Sequence, residues 1–267
     1  MVLYIYKTKK GGVFMARGKK ACEIDGQLCL FDFCTDASNY VVQANSLIGG
    51  RQALKLNSAK LIRSAIMQVV REDEDLKPYI ITVKEFAQLL QVDVSNVYRY
   101  ADEVTDDILK NPVYVKEEKN GKPVKWIKIP WVSRCEYNAG IGIAIKLNDE
   151  LKPFLINLRE HYTQYTLENV LAMKSVYAIR IYELLQSKIM SRVLPKDGAN
   201  ISIPINELKE CCDCVDKYTE FSNFRMKVLD KAKSEINRVT MFKMDYSYIK
   251  KGRCVVGIEF HVNMRYH

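Results

Sequence analysis

The stretch I-I-T-V-K-E-F-A-Q-L-L-Q-V-D-V-S, residues 80–95, predicts a short strand, a helix and a tight turn. Its apolar residues recur at the spacing of one helical face: Val83, Phe86, Ala87 and Leu90. A second helix is predicted from Val94 to about Lys110. Two helices joined by a tight turn are typical of a helix-turn-helix.

The segments on either side extend this pattern. Upstream, apolar residues fall on one face of a helix over residues 57–70, with Ser58 as its expected N-cap. Downstream, Asn111-Pro112 ends the second helix, and two strands are predicted on either side of Asn120-Gly121, a strong hairpin signal. Helix, strand, helix-turn-helix and hairpin is the order of elements in a winged helix.

The same order recurs in the second half of the chain. A helix at residues 174–185 precedes a strand, a short helix, a longer helix from about Tyr218 to Arg238, and a hairpin with its tip at K-K-G-R, residues 250–253. The two copies align as follows: Ile81 with Ile203, Val83 with Ile205, Glu85 with Glu207, Phe86 with Leu208, Leu90 with Cys212, Val97 with Phe221, Tyr100 with Phe224, Val104 with Val228 and Ile108 with Ala232. We interpret this as an internal duplication. The predicted fold class is α+β, with two tandem winged-helix domains.

The length of 267 residues allows two hydrophobic cores. We predict an N-terminal winged helix at residues 41–135 and a C-terminal one at residues 141–267, joined near residues 135–140. Residues 1–40 are expected to form a basic, poorly ordered leader. Because K-G-G-V shortly before Met15 matches what ribosome-binding-site DNA encodes when it is translated, synthesis is expected to start at Met15 rather than Met1.

The composition is that of an ordinary globular protein, with 48% hydrophobic and 27% charged residues. No apolar run approaches the roughly 20 residues that a membrane span needs, so we expect a cytoplasmic protein with no membrane partner. The eight cysteines come without a signal peptide or a C-x-x-C pair, which favours reduced thiols over disulfides. In K-E-C-C-D-C, residues 209–214, small core residues are favoured over a zinc site, and no metal or other cofactor is predicted.

The net charge favours a polyanionic partner, since 41 Lys and Arg against 32 Asp and Glu give +9. Ten basic and four acidic residues fall between Lys217 and Arg253, on the second long helix and its hairpin. The polar face of this helix and the hairpin tip are predicted to bind double-stranded DNA. The candidate DNA-binding residues there are Lys217, Ser222, Asn223, Arg225, Met226, Lys227, Asp230, Lys233, Lys250, Lys251 and Arg253.

The equivalent helix of the first copy has the opposite charge. Asp102, Glu103 and Asp106 face outward, and three carboxylates would repel a phosphate backbone, so we predict a dimerisation surface there. DNA contacts of the first copy are predicted only for the first turn of the helix and for the hairpin: Ser95, Asn96, Arg99 and Lys122. For either helix taken alone, a solvated face without a partner is the alternative.

The helix K-S-V-Y-A-I-R-I-Y-E-L-L, residues 174–185, is apolar on most sides yet carries Arg180 and Glu183. Such a helix is expected to pack against the helix-turn-helix on one side and against strands or the neighbouring domain on the other. Arg180 and Glu183 are three residues apart and can pair, which would lower the cost of burying them. An architectural role is favoured over a DNA contact.

The strings R-I-Y-E-L-L, from Arg180, and F-R-M-K-V-L-D-K-A-K-S-E-I-N, from Phe224, resemble the initiator replication proteins of iteron-containing plasmids, the Rep_3 family. The resemblance covers residues 41–262. It implies that the C-terminal winged helix docks in the major groove of each direct repeat of the origin, and that the N-terminal one mediates dimerisation and secondary DNA contacts. It also implies that monomers begin origin melting and recruit the host initiator and helicase, whereas dimers repress the protein's own gene.

Two other functions fit parts of the sequence. A transcription regulator that represses without starting replication needs the same groove-reading helix. A rolling-circle nickase could draw on the 16 tyrosines, but the nearest match to its paired-histidine metal motif, E-F-H-V-N at residues 259–263, has one histidine. No G-x-x-x-x-G-K phosphate loop occurs either, and no enzymatic activity is predicted.

Overall fold

A computed structural model describes residues 40–71, 73–119, 122–189 and 198–265, together with four short strands nearer the N-terminus. These strands are β1 (Tyr4–Lys7), β2 (Val13–Ala16), β3 (Cys22–Ile24) and β4 (Gln27–Cys29), and they form two antiparallel hairpins, β1 with β2 and β3 with β4. The other residues of the predicted leader, up to residue 39, lie outside the described residues. The start at Met15 stays a prediction.

The first winged helix has its elements in the predicted order. They are β5 (Tyr40–Ala44), α1 (Asn45–Gly49), β6 (Arg51–Gln52), α2 (Leu56–Met67), β7 (Pro78–Thr82), α3 (Val83–Leu90), a 3-10 turn (Val94–Asn96), α4 (Val97–Lys110), β8 (Val113–Lys119) and β9 (Lys122–Ile129). We call the β8–β9 hairpin the first wing. Six further elements follow it: β10 (Val132–Asn138), β11 (Gly142–Leu147), a 3-10 turn (Asp149–Leu151), α5 (Lys152–Leu155), β12 (Tyr162–Thr166) and α6 (Leu167–Ala172).

The second winged helix also keeps the predicted order. Its elements are α7 (Val176–Lys188), β13 (Ala199–Pro204), α8 (Ile205–Cys211), α9 (Phe221–Phe224), a π-helical segment (Arg225–Asp230), α10 (Lys231–Val239), β14 (Phe242–Lys251) and β15 (Cys254–Met264). The three helical segments from residue 221 to residue 239 are continuous, and we call them the long helix. The β14–β15 hairpin is the second wing.

Local signals fix the ends of several helices. Thr82 caps α3 in a capping box: the Thr82 side chain accepts a hydrogen bond from the Glu85 N–H, while the Glu85 carboxylate accepts one from the Thr82 N–H at 2.7 Å. The predicted N-cap of α2 is wrong. That helix begins at Leu56, and Ser58 lies buried within it, where its hydroxyl donates to the Val104 carbonyl.

The helices of the two helix-turn-helix units begin at residues paired in the predicted alignment. Their first helices begin at the aligned residues Val83 and Ile205, and their second helices at Val97 and Phe221. The turns match as well, because Gln91 and Asp213 both adopt the left-handed conformation, with φ of 58° and 49°. The next N–H in each copy closes the turn: Val92 donates to the Ala87 carbonyl at 3.0 Å, and Cys214 to the Lys209 carbonyl at 2.9 Å. The duplication therefore extends to the backbone of the turn.

The strands pair differently in the two copies. In the second copy β13, β15 and β14 form one antiparallel sheet. In the first copy β7 pairs with β11, and β11 with β10, whereas the first wing pairs with β6. The junction predicted at residues 135–140 thus falls on the turn of the β10–β11 hairpin, which belongs to the sheet of the first copy. The β11–β7 pairing joins strands too far apart for local sequence signals to reveal, and the domain boundary itself stays a prediction.

The central helix α7 joins the two halves. All of its residues from Ala178 to Leu185 are buried, and the predicted pair of Arg180 and Glu183 is confirmed, with 2.6 Å between Arg180 Nη1 and Glu183 Oε2. The sequence did not reveal the third member, the fully buried Arg63 of α2. Its Nε and Nη2 donate to the two oxygens of Glu183, both at 2.9 Å. Arg180 is 1% exposed, so it makes no direct DNA contact.

The buried carboxylate of Glu183 keeps its charge. Burial alone would raise its pKa, but the charges of Arg63 and Arg180 outweigh burial and lower the pKa to about 2. The Tyr165 hydroxyl also donates to Glu183. Arg63 Nη1 has no hydrogen-bond partner among the described residues, and the guanidinium lies over the Trp131 ring, 5.7 Å from its centroid. Two buried cations, Arg63 and Arg180, thus surround one buried anion, Glu183.

Arg180 also holds the backbone of both halves. Its Nη2 donates to the carbonyls of Ile48 and, at 2.9 Å, Gly50, and its Nε donates to the Cys211 carbonyl at 3.2 Å. Cys211 is the last residue of α8, so the guanidinium links the start of the first half to the second helix-turn-helix. An exposed ion pair between Arg51 and Asp213, at 2.6 Å, adds a second link. The long helix is thereby placed relative to the first half.

Candidate nucleic-acid interface

The long helix buries one side and exposes the other, as its apolar stripe predicts. Phe224, Val228, Ala232 and Ile236 are fully buried. Leu229 is also fully buried. It lies in the π-helical segment, whose wider turn carries two successive residues to the buried side. The helix begins at Phe221 rather than near Tyr218, since Tyr218 has a left-handed φ of 57°.

The predicted DNA-facing residues of the second copy lie on the opposite side of the long helix, at the tip of the second wing and, for Lys217, in the turn before the helix. Those that are exposed are Lys217, Ser222, Asn223, Arg225, Met226, Lys227, Asp230, Lys250, Lys251 and Arg253, and Lys233 is half-buried. Gly252 forms the tip with φ of +61°, a conformation that glycine adopts without strain. Helix and wing therefore present one polar, largely basic surface.

Two carboxylates of this region, Asp245 and Glu235, are already engaged. Asp245 accepts from Lys233 at 2.7 Å, and this bond together with the Tyr246 N–H lowers the pKa of Asp245. Glu235 is buried and accepts from the backbone N–H groups of Lys174 and Ser175, at 2.6 and 3.0 Å. Six exposed basic residues of the long helix and the second wing form no ion pair or hydrogen bond with any described residue: Lys227, Lys231, Lys243, Lys250, Lys251 and Arg253. The surface can neutralise several phosphates.

Two residues of the long helix are structural. The side-chain amide of Asn237 accepts from the Met244 N–H at 2.6 Å and donates to the Met244 carbonyl at 2.8 Å, which fastens the helix to β14. Arg238 donates to the Ala172 carbonyl at 3.1 Å.

Tyr246 and Tyr248 of β14 also face the helix, and neither was predicted as part of the site. A tyrosine in an alternating strand gives no sequence signal that separates a core role from a surface role.

The first copy offers a smaller basic surface. Asn96 and Arg99 are exposed at the start of α4, whereas the hydroxyl of the exposed Ser95 donates to Asp93 at 2.6 Å within the turn. Lys122 begins β9, but its side chain lies outside the described residues. Two exposed aromatic residues of the first copy were not among the predicted DNA contacts. Tyr98 is 70% exposed, and Trp126, on the first wing, is 63% exposed.

The acidic side of α4 is exposed as predicted. Asp106 pairs with Lys110, and Glu103 pairs with Lys55 at 3.3 Å, while Asp102 is exposed beside them. Each of these ion pairs is solvent-exposed and contributes little to stability. The three carboxylates remain available to a protein partner.

The cysteine cluster is part of the core. Cys211, Cys212 and Cys214 are buried, and burial raises the pKa of the Cys212 thiol. Among the described residues, no group of three or more His, Cys, Asp or Glu side chains is arranged to hold a metal ion. No helix in the described part of the chain is long and apolar enough to cross a membrane.

Comparison with known proteins gives matches over most of the chain. The family model described as "Initiator Replication protein, WH1" matches residues 40–186, and "Initiator Rep protein, WH2" matches residues 204–262. A replication initiation protein of Escherichia coli is 24% identical over 229 residues, which is 84% of this chain and 69% of that protein.

A solved structure shares the fold. The crystal structure of Pi initiator protein in complex with iteron DNA superimposes with a TM-score of 0.68 at 18% identity, covering 86% of this chain and 99% of that one. The first family match ends at residue 186, within α7 and beyond the predicted junction at residues 135–140. With both winged-helix regions matched in order, the chain belongs to the family of initiator replication proteins.

Proposed function

We propose that the protein is a plasmid replication initiator that binds the direct repeats, or iterons, of an origin in double-stranded DNA. The observation that carries this proposal is the exposed basic face of the long helix beside the lysine-rich tip of the second wing. The first turns of such a helix read base edges in the major groove, and the wing contacts phosphates. The protein of known structure that shares the fold was solved with iteron DNA.

The two domains have different tasks in this proposal. The C-terminal winged helix, through Asn223, Arg225 and the wing lysines, supplies sequence preference and affinity. The N-terminal winged helix contacts DNA with Asn96 and Arg99 and uses the acidic side of α4 for self-association. Because Arg180 bonds to the backbone of both halves, we expect binding of several protomers to adjacent repeats to impose one geometry on the DNA and to favour bending and melting.

Beyond DNA, three partners belong to the proposal: the host initiator, the host helicase and a second copy of the chain. Monomers on the direct repeats begin origin melting and recruit the host initiator and helicase. Dimers bind an inverted repeat and repress the protein's own gene. The protein acts by binding and positioning, in the cytoplasm, without catalysing a covalent step or holding a cofactor.

The first test is a footprint on the DNA that flanks the gene, repeated across a salt series. We expect protection of evenly spaced direct repeats, one or two helical turns apart, with affinity that falls steeply as salt rises. Protection of a single inverted repeat over the promoter, with none at direct repeats, would replace the initiator by a dimeric repressor.

A replication assay separates initiation from repression. A plasmid that carries the origin but lacks its initiator gene should replicate when this protein is supplied from a second plasmid. The matched control supplies the Arg225→Ala variant, which should support less replication. Failure of the wild-type protein, together with intact repression of a reporter, would leave only the regulator.

A further inference from the structure

Arg225 and Asp230 of the long helix form an ion pair that a regular α-helix would not allow. Five residues correspond to about 1.4 turns of an α-helix, which would put the two side chains on different faces. Here residues 225–230 are π-helical, and in that geometry the fifth residue lies over the first. Arg225 Nε lies 3.6 Å from Asp230 Oδ2.

The wing strand β14 supplies two more members of this cluster. The Tyr246 hydroxyl donates to the other oxygen of Asp230. The Tyr248 hydroxyl lies close enough to Arg225 to raise the pKa of its guanidinium. The rings of Tyr246 and Tyr248 are 5.9 Å apart, and Phe221 meets Tyr248 edge-on at 5.3 Å. Arg225 is therefore held from its own helix and from the wing.

We infer that Asp230, Tyr246 and Tyr248 are positioning residues that fix the guanidinium of Arg225 for base reading. The inference rests on the proposed function and deepens it. The DNA contact predicted for Asp230 stays a prediction, and its carboxylate lies against Arg225 and Tyr246. An arginine held in one orientation loses less side-chain freedom when it binds, and its planar donors suit a base edge.

Removal of the Asp230 charge is expected to change binding to random DNA and preference for the repeat in opposite directions. A carboxylate in the centre of a basic surface weakens the attraction to every phosphate. Asp230 therefore favours discrimination between repeat and random DNA at the expense of affinity for DNA in general. Removing its charge should strengthen binding to random DNA while weakening the preference for the repeat. A residue that only stabilised the fold would weaken binding to both.

The experiment measures Kd for a repeat duplex and for a scrambled duplex by fluorescence anisotropy at one fixed salt concentration. Asp230→Asn should lower the ratio of repeat to scrambled affinity by roughly tenfold and raise the affinity for scrambled DNA. The matched control, Glu220→Gln, removes one exposed carboxylate at the start of the same helix, where its side chain forms no capping bond. That control should leave the ratio unchanged.

A double-mutant cycle tests whether the cluster acts through Arg225. Tyr246→Phe and Tyr248→Phe remove one hydroxyl each, and each should lower the ratio by roughly three- to tenfold in the wild-type background. In the Arg225→Ala background the same changes should leave the ratio as it is. Equal melting temperatures of the variants would exclude a loss of fold.

Each outcome decides the inference. Equal losses on both duplexes, the same fold-change in both backgrounds, or no change in the ratio for any of the three variants would overturn it while leaving the DNA-binding function in place. A wild-type protein that does not distinguish the repeat from scrambled DNA would instead reject the proposed function, and the inference with it.

Discussion

Glu183 accepts hydrogen bonds from arginines on two helices, Arg63 on α2 and Arg180 on α7. The Arg180–Glu183 pair could be predicted from the sequence, because residues three apart on one helix are neighbours wherever the helix packs. Arg63 could not, since its sequence context shows only a buried face and its partner lies in a distant part of the chain. A buried charge in an apolar stripe predicts that a partner exists but not which one.

The first prediction concerns the stability that Glu183 provides. Glu183→Gln leaves two buried guanidinium groups without their anion, and we expect a loss of about 3–5 kcal/mol in the free energy of unfolding. The measurement is urea denaturation. Glu207→Gln is the control, because Glu207 forms an exposed pair with Lys188 at 2.8 Å and should cost no more than about 1 kcal/mol. Equal losses in the two variants would contradict the role of Glu183.

The second prediction is a pH dependence. The folded-state pKa of Glu183 lies at about 2, below its ordinary value of 4.5, so its contribution is complete above about pH 4.5 and is lost as the pH falls toward 2. Over that window the wild-type melting temperature should fall more steeply than that of Glu183→Gln, which has no carboxyl to protonate. Parallel curves for the two proteins would show that Glu183 does not titrate in this range.

At the scale of elements, the long helix and the second wing should contribute differently to binding. The third prediction is that Asn223→Ala or Arg225→Ala costs roughly 1–3 kcal/mol on repeat DNA and little on random DNA. Lys250→Ala or Lys251→Ala should weaken binding to both DNAs alike and reduce the salt slope by about 1. Kd values over a salt series give both quantities. A helix variant that loses equally on both DNAs would place base reading elsewhere.

The order of elements could be predicted because its signals are local. Each signal depends on a few neighbouring residues: the spacing of apolar residues in a helix, the Asn-Gly dipeptide at residues 120–121, and the helix starts at Val83 and Ile205. The pairing of β7 with β11 could not be predicted, since the sequence of neither strand indicates which strand it pairs with. The π-helical segment also gave no signal, because its stretch R-M-K-V-L-D satisfies the ordinary helical pattern. The positions of the candidate site residues were therefore better predicted than their contacts.

At the scale of the whole molecule, the fourth prediction concerns self-association. Asp102→Lys and Asp106→Lys reverse charges on the exposed side of α4, and we expect either change to shift the monomer–dimer balance more than it changes repeat binding. Sedimentation velocity measures the balance. Glu150→Lys, at an exposed position on the short turn before α5, is the matched control. Sedimentation that is unaltered by both α4 reversals would move the dimer surface to another face.

The guanidinium of Arg180 has a consequence for how such genes recombine. It donates hydrogen bonds to three main-chain carbonyl oxygens, those of Ile48, Gly50 and Cys211. Main-chain oxygens are present whatever side chain a relative carries at these positions. A crossover between the codons of residues 189 and 198 would therefore graft a foreign DNA-reading half onto a joint that still fits. New origin specificities could then spread by exchange of one gene segment, with the coupling between halves inherited intact.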